Sequence, residues 1–382
     1  AYIDVYPKLP IVAPQQTSPV GFAASGSVRI GSTYMSERVW LTSMAIALDS
    51  IRPANLLTDD EITRLRTLVF EPSANNMMDH KVGAMNLQWQ IQSAALFAGL
   101  ACESPNLIAR AMHDSHGVHN LIQTGFLPSG HWWENPSYQN VTRLAAYPVL
   151  ITAVANNILP WDDKLKTILK SIYQLHGPDG NSPTLGTGGW TNYISNNDAV
   201  IALSAWLDDP QLAWIAYNRK PSGQSYDVAR FAAFRQTTPP IAKEQTINPI
   251  ATTTVNLPDY GGIALRLSGT DHYAYLHYGR DLVHGHRNKL SINAYGQGGW
   301  YMRNVMGGYE SNFANFLETI ASANTILIDS TNADTDTGEL LFHQNLPNAQ
   351  LASAREIGAY KDVEHERSVV LTSMGIVILD RL

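Results

Sequence analysis

At 382 residues the chain is too long for one small domain, and roughly 150 residues per domain suggests two or three units. Apolar residues make up 45% and charged residues 15%, which excludes a disordered chain and allows a large core. The 33 acidic and 26 basic residues leave a net charge of −7, which argues against a protein that coats nucleic acid or anionic membrane, though not against a local basic pocket. A single cysteine, Cys102, rules out an internal disulfide framework and a cysteine-built zinc site.

The chain opens Ala1-Tyr2-Ile3, without a basic-then-apolar leader, as expected of a processed or partial chain. Low charge, abundant Asn, Thr, Gly and Trp and one cysteine suit a secreted or periplasmic protein. Thr58-Asp59-Asp60-Glu61 is a capping box that opens an amphipathic helix to about Phe70. The uncharged run from Val82 to Cys102 is long enough to span a bilayer, but Asn86, Gln88, Gln90 and Gln92 make it a buried helix of a soluble protein. Helical spacing continues over Pro105–Ile122, Gln139–Asn157, Trp161–Leu175, Asn196–Leu207, Pro210–Tyr217 and Tyr226–Arg235, joined by short Gly/Pro/Asn turns. Stacked antiparallel helical hairpins follow from that pattern. Residues 236–249, with Pro239-Pro240 and Pro249, read as a linker. Beyond it the period becomes two, and strands are expected at Gly262–Ser268, His272–Tyr278, Lys289–Tyr295, Asn324–Asp329 and Ser368–Asp380. The expectation is therefore an α+β chain, with a helical domain over 1–235, a linker over 236–249 and an antiparallel β domain over 250–382.

Four segments could carry chemistry. In Asp281–Leu290, an extended backbone places His284, His286 and Asn288 on one face, with Arg287 and Lys289 opposite; histidines at this spacing serve as metal ligands or as a base and its helper, or simply edge a polar loop. In Ser129–Tyr138, His131, Trp132 and Tyr138 combine proton-transfer groups with an indole able to stack on sugar, unless the segment only plugs the gap between helices. Asn86 and Gln90 share one helix face at i, i+4, where they could hold a ligand carboxylate or bond to neighbouring backbone. Trp300–Tyr309 brings Arg303 and Tyr309 into an aromatic and basic loop, which is equally a surface connection. His113, His116 and His119 fit a satisfied helix face better than a metal site. No phosphate loop, nucleophile elbow or dinucleotide fingerprint is present.

His284-Gly-His286-Arg-Asn-Lys-Leu, the following Gly-Gly-Trp300, Ala323-Asn324-Thr325 and the upstream Gly130-His-Trp-Trp-Glu-x-x-x-Tyr138 together resemble the signature of the heparinase II/III-like polysaccharide lyases, a group that includes alginate, oligoalginate and heparin/heparan lyases. The resemblance covers most of residues 80–382. It implies an N-terminal incomplete (α/α) toroid followed by an antiparallel β-sandwich, with an acidic sugar chain bound between them. It also implies roles: Tyr138 as the catalytic tyrosine, His284 as its helper or a carboxylate holder, Asn86 as the amide that neutralises the carboxylate, and His286 as a ligand of a structural zinc. The zinc positions depart from the pattern. Asn304 stands where the family has aspartate and Ala323 where it has histidine, so loss of the zinc site and no cofactor are expected.

The reaction so implied is β-elimination at a uronic acid. The C5 hydrogen is acidic only when the neighbouring carboxylate is neutralised, which Asn86, Gln90 and His284 would do. A tyrosine titrates near 10 when free, so a donor or cation such as His131, His284 or Arg303 must favour the phenolate of Tyr138. Trp132 and Tyr309 would stack on flanking sugars, and His286 would serve the substrate. The partner is thus an acidic polysaccharide or oligosaccharide, with neither nucleic acid nor membrane. A non-catalytic sugar-binding homologue and a glycoside hydrolase using Glu134 are the competing readings.

Overall fold

A computed structural model describes residues 2–11, 28–30, 34–79, 83–186, 253–279, 287–305, 316, 319–331 and 338–382. The expected helices between 196 and 235 and the 236–249 linker lie outside those residues. By contact the chain forms two compact units: Ala1–Gly125 with Thr142–Ile158, and Phe126–Val141 with Leu159–Leu382.

In the first unit the capping box at Thr58 is complete. The Thr58 hydroxyl accepts from the Glu61 backbone N–H, and the Glu61 carboxylate accepts in return from the Thr58 N–H. Helix α3 (Asp59–Leu65) starts there and runs through a π turn at Arg66–Phe70 into α4 (Glu71–Met78). The uncharged run forms α5 (Asn86–Ala101), buried on nearly its whole circumference against α2 (Tyr34–Ile51), α4 and α6 (Pro105–His113). A helix without charge, buried on almost every side, belongs in the middle of such a group. Helix α2, absent from the elements expected from sequence, buries Tyr34, Glu37, Leu41, Ala45 and Leu48 at helical spacing, with apolar residues such as Val39, Trp40 and Ile46 also on its outer faces. Buried Glu37 is satisfied locally: its carboxylate accepts from the Ser73 hydroxyl and from the Arg29 and Ile30 backbone N–H groups. The expected helix over 105–122 is two helices, α6 and α7 (Val118–Gly125), because the chain turns at Asp114–Gly117. His113 and His119 stack across that turn, 4.7 Å between ring centres. Among the described residues no helix is long and apolar enough to cross a membrane.

Helix α8 (Pro136–Ala155) contributes its first residues to the second unit and the rest to the first. The second unit also holds α9 (Asp163–Lys170) and two antiparallel sheets. The first sheet has the order β1 (Val255–Leu257), β2 (Gly262–Arg266), β3 (Tyr273–His277), β4 (Ile292–Gly296) and β5 (Gly299–Met302). The second has the order β6 (Glu339–Leu346), β7 (Ala349–Tyr360), β8 (Val363–Thr372) and β9 (Gly375–Arg381). The expected strand over 368–380 is therefore two strands, folded back at Ser373–Met374 with Thr372 paired to Gly375. The expected strand over 324–329 is instead a turn region held by an Ile328–Thr331 bridge. There, side chains and loops take up the backbone groups that a strand partner would have used.

Alternate residues of β2 and β3 serve two different cores. Ile263, Leu265, Ala274 and Leu276 join Ile292 and Ala294 of β4 and meet Ala352, Ala354, Val369 and Leu371 of the second sheet. Ala264, Tyr273 and Tyr275 face the other way, where Tyr260, Tyr295, Leu175 and Leu185 cover them.

Candidate active site

The turn that ends in Tyr138 is built from residues 126–135 and backed by the first sheet. Leu127 N–H donates to the His131 carbonyl (2.8 Å), and Gly130 N–H donates to the Leu127 carbonyl (2.8 Å). Gly130 has a φ of +81°, and a Cβ there would collide with the Thr167 carbonyl of α9, so both the left-handed turn and the close approach need glycine. The Ser129 N–H donates to the Asp259 carboxylate (2.6 Å), and the Tyr260 hydroxyl donates to the Glu134 carbonyl (3.4 Å). These two residues of the β1–β2 turn hold both ends of the motif.

At its exit, Asn135 caps α8: its side-chain oxygen accepts the Tyr138 N–H (3.1 Å), and its carbonyl accepts from Gln139 N–H (2.9 Å). Pro136 follows as the first helical residue, where its fixed φ is already helical. Tyr138 thus sits in the first turn of a capped helix, partly exposed, with Trp133 and Ser137 partly exposed beside it in sequence.

His131 and Trp132 are placed differently from the expectation. Both are fully buried. His131 Nδ1 lies 3.1 Å from the Ser129 hydroxyl, and its ring lies 5.0 Å from that of Tyr260. Trp132 sets its edge against Phe126 and donates its indole N–H to the Glu134 carboxylate (2.5 Å). These are core positions, so stacking on sugar is not a role that this placement offers Trp132. The indole that the sequence reading passed over, Trp133, keeps partial exposure. The adjacent Trp-Trp pair marked the segment, but only burial separates the two rings.

Arg303 is likewise engaged with the protein. Its Nε donates to the Thr184 hydroxyl (3.2 Å) and one terminal nitrogen donates to the Ser182 carbonyl (3.1 Å), while the guanidinium lies 4.4 Å from the Trp300 ring centre. Burial lowers its pKa, with Asp179 and Tyr273 opposing the shift. Beside it, Asn304 spends its whole amide. The nitrogen donates to the Thr184 carbonyl (2.9 Å) and the Ser291 hydroxyl (3.1 Å), and the oxygen accepts the Asn324 N–H (2.8 Å). With Asn304 so occupied and only a methyl at Ala323, these two positions do not supply zinc donors.

Arg367 of β8 ties the motif segments to the second sheet. It donates to the Leu290 carbonyl (2.6 Å) and the Asn324 carbonyl (2.8 Å), and it grips Asp380 through Nε (2.7 Å) and Nη2 (2.9 Å). The Thr325 hydroxyl adds a bond to the Lys289 carbonyl (2.7 Å). Nothing in the sequence marked Arg367, because the two carbonyls it serves lie 77 and 43 residues away.

Asn86 and Gln90 belong to the first unit, both buried, one helical turn apart at the start of α5. His284, His286 and Tyr309 lie outside the described residues.

No family model and no curated protein matches the chain. Solved structures do match. A heparinase III superposes with a TM-score of 0.65 at 16% identity, covering 99% of this chain and 59% of the other. Another heparinase III structure gives 0.63 at 14% identity over 99% of this chain and 58% of the other. A mutant of the heparan sulfate lyase HepC from Pedobacter heparinus gives 0.59 at 14% identity over 90% and 58%. The chain therefore has a heparinase III-like, α+β polysaccharide-lyase fold, and it spans a little over half the length of those lyases.

Proposed function

We propose that this chain carries the catalytic machinery of a polysaccharide lyase that cleaves a uronic-acid-containing chain, of alginate or glycosaminoglycan type, by β-elimination. The observation that carries the reading is the heparinase-like fold combined with a partly exposed Tyr138 on a rigidly capped helix start. In this proposal residues 1–235 form the incomplete toroid, 236–249 the linker and 250–382 the sandwich. The protein acts outside the cytoplasm, where such polymers are found.

Asn86, with Gln90 and His284, donates hydrogen bonds to the uronate carboxylate and holds the charge that develops when C5 loses its proton. Tyr138 takes that proton. The C5–H electrons form the C4–C5 double bond, the C4–O4 bond breaks, and the leaving oxygen is protonated by Tyr138 or His284. Because Trp132 is buried, Trp133 takes over the stacking role beside Tyr138, with Tyr309; His286 contacts the substrate. His131 and Arg303 are positioning residues in this reading, the first beneath the Tyr138 turn and the second against the 182–184 loop. The hydrolase alternative loses ground because Glu134 is fully buried, with its carboxylate on the Trp132 indole, rather than open to a glycosidic oxygen.

Incubation with alginate, heparan sulfate, chondroitin and hyaluronan tests the class. A new ultraviolet-absorbing unsaturated end supports the lyase, whereas reducing ends without it, or binding without turnover, defeat it. Tyr138→Phe is expected to lower turnover at least about a hundredfold while the thermal midpoint stays put. Full activity in that variant removes Tyr138 from the chemistry. No zinc takes part in the proposal, so prolonged chelation is expected to change neither turnover nor thermal midpoint, and metal analysis checks it.

A further inference from the structure

Two hairpin tips of the second unit flank an open pocket of about 430 Å³ that shares no residue with the proposed lyase site. One tip is Gln297-Gly298 between β4 and β5. Both residues have positive φ (+52° and +79°), the geometry of a tight two-residue hairpin. The Asp271 carboxylate fixes it by accepting the N–H groups of Gln297 (3.2 Å) and Gly298 (2.7 Å). The other tip is Ser373–Met374 between β8 and β9. His272 joins the two tips: its Nδ1 lies 2.8 Å from the Thr372 carbonyl, to which it must donate. In the neutral ring Nε2 therefore carries a lone pair, an acceptor fixed in the pocket wall.

Trp300 and Tyr301 supply the aromatic lining. Trp300 is immobilised by its N–H bond to Asp179 (2.7 Å) and by the edges of Tyr273 and Tyr295. Tyr301 is 48% exposed, and a Cβ on Gly296 would meet both the Tyr301 ring and the His272 ring at 3.2 Å, so the two rings flank a bare stretch of backbone. Gly299 adds a second bare stretch, with nothing within 4 Å of a Cβ placed there. Among the described residues no lysine or arginine is part of the lining. The Arg303 guanidinium lies 4.4 Å from the Trp300 ring centre but is bonded to Thr184 and Ser182, and the Asp271 carboxylate lies 4.0 Å from the His272 Nε2. An acidic sugar would meet no cation among the lining side chains. An uncharged pyranose meets the half-exposed Tyr301 ring for its C–H groups, an acceptor for a hydroxyl and the Gln297 amide.

We propose that this pocket is a binding site for a neutral pyranose unit, separate from the acidic-sugar site of the proposed lyase and independent of whether that lyase reading holds. The test titrates the full chain with neutral hexasaccharides (cello-, manno- and N-acetylchito-hexaose) and with alginate and heparan hexasaccharides, by calorimetry and ligand-observed NMR. At least one neutral hexasaccharide is expected to bind. Tyr301→Ala and Gly299→Leu should each weaken that binding about tenfold or more without changing the thermal midpoint or any lyase turnover. The proposal is overturned if no neutral hexasaccharide binds, if binding survives both substitutions, or if an acidic hexasaccharide competes for the same site. The lyase assay on the same variants keeps the two proposals apart, since loss of turnover in the parent chain leaves the titration unaffected.

Discussion

The two sheets of the second unit use the same alternation for opposite ends. In β8 the buried residues His365, Arg367, Val369 and Leu371 alternate with partly exposed Glu366, Ser368 and Val370, and one face meets water. In β2, β3 and β4 every residue is buried, and the second face is closed by Leu175, Leu185 and the chain around them. That second face is rich in polar groups. Arg266 donates to the carbonyls of Gln174 (2.7 Å), His176 (2.8 Å) and Thr253 (2.9 Å), the Tyr273 hydroxyl donates to the Leu175 carbonyl (2.6 Å), and Asn293 exchanges bonds with Thr184. The lesson is that polar residues in a strand need not mark the solvent side. Here they satisfy the backbone of irregular segments that no sheet or helix could satisfy.

Arg266→Met probes that contrast most severely. It leaves three carbonyls without their donor in a dry interface, with an expected loss of about 3 kcal/mol or more, read as a lower urea midpoint at unchanged m. The guanidinium is deep enough that burial pushes its pKa down to about 10, yet it stays charged at neutral pH. A midpoint within experimental scatter of the parent would show that this face tolerates water.

His277, on the same sheet, gives a pH-dependent test. Burial first, and nearby Lys289 second, push its pKa from 6.5 down to about 3. Between those values the unfolded chain binds a proton that the folded chain refuses. Its contribution is therefore complete above pH 6.5 and falls as the pH is lowered through that window, by at most about 1.4 kcal/mol per pH unit. His277→Gln should flatten that slope in unfolding curves taken between pH 6.5 and 4; an unchanged slope assigns it to other groups. At the mild end, Leu379 on the wet face of β9 is 60% exposed, and Leu379→Thr should shift stability by no more than about 0.5 kcal/mol. A larger loss would mean that this face is covered in solution.

Much of the fold was legible in the sequence. The Thr58 box, the uncharged α5 and strands β2 to β4 carry their signals within a few residues. The break between α6 and α7, the fold-back between β8 and β9 and the turn at 324–329 were not legible, because apolar spacing runs on through a turn whose geometry is set by hydrogen bonds. At the candidate site, the motif singled out Tyr138 and its segment. It could not distinguish buried Trp132 from partly exposed Trp133, nor show that Asp259 and Tyr260 of the distant β1–β2 turn hold the motif, nor that Arg367 of β8 serves the carbonyls of Leu290 and Asn324.

The amino-acid order alone therefore determined the capped start of α3, the uncharged α5, strands β2 to β4 and the short motif that bears a tyrosine in a first helical turn. Those properties depend on side chains a few positions apart. Tertiary packing decided which polar side chains stay dry, which indole keeps surface, and which amide or guanidinium is spent on the protein itself. Burial and hydrogen-bond satisfaction belong to whatever segment lies against a residue, and sequence spacing does not encode that neighbour.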